Sequence, residues 1–490
     1  MVSAVSKEDI KAGGLSLEQT TQANQELLRA RRLRKQAQTE PESLFNHKAG
    51  QQLIVVSCYT NFKNLAHGPR GKEALHSLYT YSLNPNTGSM TLVSVVTDKI
   101  SNPAFLRFHP TKNLLYSCTE SISEHGEVDT WEVCPESGRL SKVGSMDAQG
   151  TSTCYLTLDK ECQNMLVVNY WDASIGVFEL SPQGSLASVR TMHDPNGGKG
   201  MAVSHKRHVN HSQNDENAQK ERQLDPHSHA IVLEPEHGKI AYVPDLGMDV
   251  IRQFRYDSAT GSLEAAGTTP SGPPGRRALG PRYIEFHQSL PVCYVVNELS
   301  SEVSVFRKKP EAMDALAAGG RSDGSYEPTL ELVQTIRTTP EAFPTECNTC
   351  GRITVHKSGA FVLVSNRGHD SITVFRVHTE AEAPGMLSVA CVQHTRGKTP
   401  RHFQFDASGQ WLIAANQDSD SLSIFHFNQA TGVLRWSGNE YTVPSPNFVC
   451  SVVPHAQPVT SVKASTSQSR TSKQPEVAPA YLTPMIASRL

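Results

Sequence analysis

GKTPRHFQFDASGQWLIAANQDSDSLSIFHFNQATGVL, residues 397–434, is the stretch whose reading decides the fold. Arg401 to Phe405 alternates polar and apolar side chains, the period of a strand with one buried face. Asp406-Ala407-Ser408-Gly409 is a turn, with Gly409 free to take positive φ. Trp411 to Ala415 is a continuous apolar run, as in a strand covered on both faces. Asn416 to Asp420 is a polar turn. Leu422, Ile424 and Phe425 mark a third strand, and Thr431-Gly432 turns into a fourth. The unit is an antiparallel meander of about 45 residues, the size of one propeller blade.

The unit recurs. NPAFLRFHPTKNLLYSCTES begins at Asn102, STCYLTLDKECQNMLVVNYWDASIGVFEL at Ser152, and HSHAIVLEPEHGKIAYVPDLGMDVIRQFRYDSATGSL at His227. GPRYIEFHQSLPVCYVVNELSSEVSVFRK begins at Gly280 and GRITVHKSGAFVLVSNRGHDSITVFRV at Gly351. The opening stretch makes six. A seventh is split: SPNFVCSVVP (445–454) supplies an innermost strand, and LIVVSCYT (53–60), SLYTYSL (77–83) and MTLVSVV (90–96) supply the three outer ones. The expected fold is all-β: a seven-bladed β-propeller of four-stranded antiparallel blades, its ring closed by pairing N- and C-terminal strands, which leaves only short edges.

The 490 residues have room for two or three average domains, but the repeats assign residues 47–455 to one. Residues 1–46 read as a helical or disordered arm. It carries the basic patch Arg31-Arg32-Leu33-Arg34-Lys35, and Glu8, Asp9, Glu18 and Glu26 argue against a mitochondrial transit peptide. Residues 456–490 are rich in Ser, Thr, Lys and Pro and read as a disordered tail. Two insertions, 195–226 and 308–330, read as mobile surface loops. A formal charge of −2 points to neither nucleic acid nor a membrane as partner. No apolar run approaches the length of a membrane span, and MVSAVSKEDIKAGG lacks the apolar core of a secretory signal. The ten cysteines are therefore expected to be mostly reduced and buried. Ser488-Arg489-Leu490 is a close variant of the peroxisomal address S-K-L. The expected location is cytoplasmic or peroxisomal, with an import receptor as the partner that reads those three residues.

Strand order locates a site. Each innermost strand lines the channel and the second strand runs back antiparallel. The start of strand one and the end of strand two therefore share a rim. Strand starts give His227, His229, Arg282, Arg352 and Arg401. Strand-two ends give Asn169-Tyr170, Pro244-Asp245, Asn297-Glu298, Asn366-Arg367 and Asn416-Gln417. One polar channel mouth is the default binding site of such a fold. Arg282, Arg367 and Arg401 grip phosphate or carboxylate with planar forks. Glu298 and Asp245 supply bases, and His227 and His229 suit proton transfer. Structural roles compete: Arg282 and Arg401 can tie neighbouring blades, and Glu298 can be an arginine's partner. His227 and His229 can form half a zinc site, with no third ligand at a suitable spacing. His205, His208 and His211 fall in the first insertion and read as solvated. Cys347-Asn-Thr-Cys350 is a lone CxxC, weak evidence for either zinc or redox chemistry.

These motifs resemble the seven-bladed lactonase family, which includes bacterial-type 6-phosphogluconolactonases and fungal carboxymuconate cyclases. The resemblance spans roughly residues 50–454. It rests on NPAFLRFHP, ERQLDPHSHA, VPDLGMD, GPRYIEFH, VVNELSSEVSVF, SNRGHDSITVF and TPRHFQFDASGQWLIAANQDSDSLSIF. The family's proposed active-site set of one His, two Arg and one Glu falls on His229, Arg282, Arg367 and Glu298. Arg401 and Gln417 occupy further motif positions. Two departures stand out. Trp171 follows Tyr170 where relatives carry small residues, which narrows the mouth, and Thr354 stands where His is frequent.

The resemblance implies metal-free, cofactor-free hydrolysis of a small anionic lactone, most directly 6-phosphoglucono-δ-lactone. The arginines would bind the phosphate and polarise the carbonyl while Glu298 or His229 takes a proton from water. His227, Asp245, Arg401 and Gln417 would contact substrate. No Gly-x-Ser-x-Gly elbow is present to suggest an acyl-enzyme. The alternatives are a carboxymuconate lactonising enzyme, whose carboxylates the same arginines would hold, and a non-catalytic scaffold. The Gly-His and Trp-Asp dipeptides of WD40 scaffolds do not repeat here. A calcium-dependent lactonase would need clustered carboxylates where arginines dominate.

Overall fold

The computed structural model describes residues 51–98, 100–195, 222–223, 225–319 and 326–455. The arm 1–46, the tail with Ser488, Arg489 and Leu490, and His205, His208 and His211 lie outside the described residues.

Seven four-stranded antiparallel sheets form the seven blades. In the sixth, Pro400–Phe405 pairs with Trp411–Asn416, then come Ser421–Phe427 and Leu434–Thr442. The seventh is the split one. Pro446–Val452 pairs with Leu53–Cys58, Val55 standing opposite Cys450, and Leu78–Leu83 and Met90–Val95 complete the sheet. The two ends of the repeat array thus share one sheet, which closes the ring and removes its exposed edge.

Burial follows position in the blade. Second strands such as Asn164–Asn169, Val292–Asn297 and Trp411–Asn416 are buried along their whole length. This is why they read as apolar runs. Outer strands such as Leu434–Thr442 expose most of their residues. At the face away from the site, turns interlock with the preceding blade. Gly409 takes φ 75° beneath the His356 ring, whose Nε2 lies 3.0 Å from the Gly409 carbonyl oxygen. A β-carbon there would meet that ring at 2.6 Å.

At the other face, a buried asparagine ends several second strands. Asn366 Nδ2 donates to the Thr338 carbonyl of the preceding blade and to Ser371 Oγ and Thr373 Oγ1 of its own, at 3.0, 3.1 and 3.1 Å. Asn416 repeats the pattern with Thr395, Ser421 and Ser423. These amides join neighbouring blades.

The second insertion is not wholly loop. Pro310–Ala317 is an α-helix, with proline at its first turn, where no N–H is needed. Met313 and Leu316 bury against Ile240, Tyr242 and Phe306. Two apolar residues three apart are too short a period to stand out beside a glycine-rich segment.

Candidate active site

The mouth is built from one repeated piece of backbone. Before the inner strand, a residue sits in the left-handed region: Asn102, Ser152, Gly280, Thr399 and Ser445, with φ between 39° and 64°. Its carbonyl accepts the N–H of the residue just past strand two. Proline or another small residue follows, then one extra residue bulges from the ladder. The bulged residues are Ala104, Cys154, Arg282, Arg401 and Asn447. In the fifth blade Gly351 takes this place. In the third, one residue is extra between Ser228 and Val232, and His229 lies there. A bulge re-aims a side chain, and here it turns one toward the axis in every blade but the fifth, where Gly351 has none.

Two of these residues carry the positive charge, Arg282 and Arg401. With His229, Cys154, Asn447 and Glu120 they line a small depression at the channel mouth. Its floor is aromatic. The next inner-strand residues include Phe105, Tyr155, Tyr283, His402 and Phe448, packed with centroids 4.5 Å apart for Phe105–Tyr155 and 3.7 Å for His402–Phe448. The site is a closed-bottomed pocket, not a pore.

The residues just past strand two form the wall: Tyr59, Glu120 and Tyr170 on one side, Glu298, Arg367 and Gln417 on the other. Two carboxylates organise it. Glu298 is 2% exposed. Its oxygens lie 2.8 Å from Arg222 Nη1, 2.9 Å from Arg282 Nε and 3.1 Å from Arg367 Nη2. Burial alone would raise this carboxyl, but Arg222, Arg367 and Arg282 together hold it well below the ordinary range. Glu120 accepts the Tyr59 hydroxyl at 2.8 Å. His67 Nδ1 stands 3.7 Å and Arg401 Nη2 3.8 Å from it.

Three of the histidines are held toward the neutral form. Burial, then the Arg282 charge, pushes His229 well below its usual range. Burial and Arg401 do the same to His67, and burial and Arg352 to His402. Burial also brings the Arg367 guanidinium down to about 10. Arg282 Nη1, His67 Nε2 and Gln417 Oε1 are buried without a protein hydrogen-bond partner.

The structure brings His229, Arg282, Arg367, Glu298 and Arg401 together. Gln417 is buried at the rim, its amide donating to Asp418 at 3.0 Å. His227 stacks on Tyr170 at 4.8 Å with Trp171 at its edge, 4.9 Å away, so Trp171 packs on His227. Asp245 faces away from the cavity. It accepts from the His227, Gly247 and Met248 N–H groups and pairs with Arg252 at 2.7 Å. Arg352 sits one position deeper than Arg282, because Gly351 takes the bulge. It pairs with Glu285 at 2.8 Å.

Sequence reasoning missed Glu120, Tyr59, His67 and Arg222. Glu120 was findable: it follows Leu114–Thr119 as Glu298 follows Val292–Asn297. Arg222 belongs to the first insertion, expected to be a loose loop. It is instead packed, its Nε donating to Tyr170 Oη at 3.0 Å while Gln223 bonds Asp249 at 2.7 Å. His67 comes from the Cys58–Leu78 connection, held at Arg70 N by Asp418 at 3.0 Å. Among the described residues no group of three or more His, Cys, Asp or Glu side chains is placed to hold a metal ion. None of their helices is long and apolar enough to cross a membrane.

The fold is a seven-bladed ring with a pocket lined by arginines at one mouth. The sequence model of the 7-bladed beta-propeller lactonases matches residues 54–451, and the chain belongs to that family. A 6-phosphogluconolactonase of Bacillus subtilis is 28% identical over 379 residues, covering 77% of this chain and 95% of its own. One from Formosa agariphila is 27% identical over 375 residues, covering 75% and 92%. The periplasmic gluconolactonase of Pseudomonas aeruginosa superposes with a TM-score of 0.64 at 25% identity, over 82% of this chain and 99% of its own. A putative 6-phosphogluconolactonase of Bacteroides fragilis gives 0.64 at 23% identity over 82% and 98%, a likeness of fold.

Proposed function

We propose that this protein hydrolyses the lactone of a small anionic sugar acid, with 6-phosphoglucono-δ-lactone the first candidate. The observation that carries the reading is charge balance in the pocket. Among the described residues, four guanidiniums, Arg222, Arg282, Arg367 and Arg401, gather around two carboxylates, Glu298 and Glu120, while burial and the arginines hold His229 and His67 toward the neutral form. A cluster in which guanidiniums outnumber carboxylates suits a small anion such as a phosphomonoester. The names of the B. subtilis and F. agariphila relatives support the same substrate class.

In this reading Arg367 and Arg401 hold the phosphate and Arg282 faces the lactone carbonyl. Its buried Nη1 donates to the oxygen as negative charge develops, an effect on the order of 3 kcal/mol in a site closed to water. Glu298 fixes the forks of Arg222, Arg282 and Arg367. His229, neutral and facing the cavity, orients the attacking water. Lactones of this kind are activated esters, so positioning and one proton transfer suffice.

The test is proton release on adding freshly generated 6-phosphoglucono-δ-lactone, with and without chelator. Turnover that survives chelator supports the metal-free reading. A rate equal to spontaneous opening removes this substrate and moves the test to carboxylated lactones.

A further inference from the structure

The proton of the attacking water needs an acceptor. Of the two residues that the sequence nominates, Glu298 is paired with arginines, and His229 is a poor proton acceptor because burial and the Arg282 charge disfavour its protonated form. Glu298 has its oxygens against three guanidiniums. Resting on the lactone-hydrolysis reading, we infer that Glu120 is the catalytic carboxylate that takes this proton and returns it to the ring oxygen.

The geometry singles it out. Glu120 lines the cavity together with Arg282, Arg401 and His229, so it faces the space a lactone would fill. It belongs to a second group distinct from the Glu298 cluster. Tyr59 Oη donates to Oε2 at 2.8 Å and His67 Nδ1 stands 3.7 Å from Oε1. Arg401 is only loosely paired with it, at 3.8 Å, against 2.8–3.1 Å for the guanidiniums around Glu298. Tyr59 and His67 pack edge to face at 5.1 Å and hold the carboxylate from behind. Cys154, from the next blade, lines the same cavity, and burial raises its thiol well above the usual range. The arrangement is an oriented base beside Arg282 and Arg401, of which only Arg401 is loosely paired with it.

The step balances. A water oxygen bonds the carbonyl carbon and its proton passes to Glu120, while Arg282 stabilises the oxyanion. The tetrahedral centre then collapses, the bond from acyl carbon to ring oxygen breaks, and that oxygen takes the proton from Glu120. The hydroxy acid ionises and gives one proton to solvent.

The experiment measures kcat and KM of wild type, Glu120→Gln, Glu120→Asp and Glu298→Gln on 6-phosphoglucono-δ-lactone, with a thermal melt of each. General-base removal is expected to lower kcat about 10²- to 10⁴-fold. Glu120→Gln should show that loss with KM within about threefold and an unchanged melt, since the amide oxygen still accepts from Tyr59. Glu120→Asp should keep its fold and recover part of the kcat. A kcat for folded Glu120→Gln within about threefold of wild type, or a Glu120→Asp kcat no higher than that of Glu120→Gln, overturns the assignment of Glu120 and leaves lactone hydrolysis standing. A wild type that does not exceed spontaneous opening overturns both.

Discussion

Arg222 Nη1 lies 2.8 Å from Glu298 Oε1, and the contact makes one buried carboxylate the shared partner of three guanidiniums. Glu298→Gln would leave those cations without their counter-charge. Removing one side of a buried ionic group costs about 3–5 kcal/mol. The thermal midpoint is therefore expected to fall together with turnover. Inorganic phosphate should raise the midpoint of the variant more than that of wild type, because a bound anion supplies the missing charge. A variant that melts with wild type and loses only turnover would assign Glu298 to the chemistry instead.

Three buried histidines make the fold sensitive to acid. Burial, then neighbouring arginines, lowers His67, His229 and His402 well below the usual histidine range. In the unfolded chain each takes up a proton near pH 6.5. Below that pH the unfolded state binds more protons than the folded one, so stability drops as pH falls. Glu298, also lowered, adds a loss of the same sign below about pH 4.3. Melts should be flat from pH 8 to pH 7 and fall steadily from pH 6.5. A midpoint constant down to pH 5 would mean that these rings are protonated in the folded protein.

What the sequence made legible follows the repeat. Short strands joined by tight turns recur around the ring, so strand order alone placed Arg282, Glu298, Arg367 and Arg401 at one rim. The same rule covers Glu120 and Tyr59, but Tyr59 lies in the split blade and Glu120 in the blade left out of the comparison. Register was harder. One bulge at Gly351 moves Arg352 a position deeper than Arg282, and nothing in the residue types shows it. Arg222 and His67 reach the site from connections, which have no period, and only tertiary contacts such as Arg222 to Tyr170 reveal them.

Asn366 and Arg367 are neighbours with separable roles. Asn366 Nδ2 makes three hydrogen bonds that join two blades. Arg367 reaches Glu298 and donates to the Cys350 carbonyl at 2.6 Å. Asn366→Ala should cost about 1–3 kcal/mol for the acceptors it strands, read as a lower denaturant midpoint, with KM of the folded protein near wild type. Arg367→Ala should raise KM at least tenfold. Equal KM changes in the two variants would place both side chains in one structural unit.

Gly351 sits where the inner strands of two neighbouring blades pass close together. Its counterparts in other blades carry side chains, yet a β-carbon at Gly351 would stand 2.7 Å from the Arg401 carbonyl oxygen and 2.6 Å from Ser365 Oγ. Neither neighbour is free to yield. Ser365 Oγ accepts the Arg352 N–H at 2.9 Å, and the Arg401 strand is paired with Trp411–Asn416. Gly351→Ala must therefore move the inner strand of the next blade and Arg401 with it. Overpacking of this kind costs about 1–3 kcal/mol, and a reacting group misplaced by 1 Å can cost on the order of 10²-fold in rate. The expected result is a lower melting temperature with a several-fold higher KM, because Arg401 would no longer meet the anion squarely. Gly144→Ala is the control, since the nearest atom to its added carbon is 3.9 Å away, and it should match wild type in both. If Gly351→Ala lowers the melt but leaves KM unchanged, Arg401 does not bind the substrate anion.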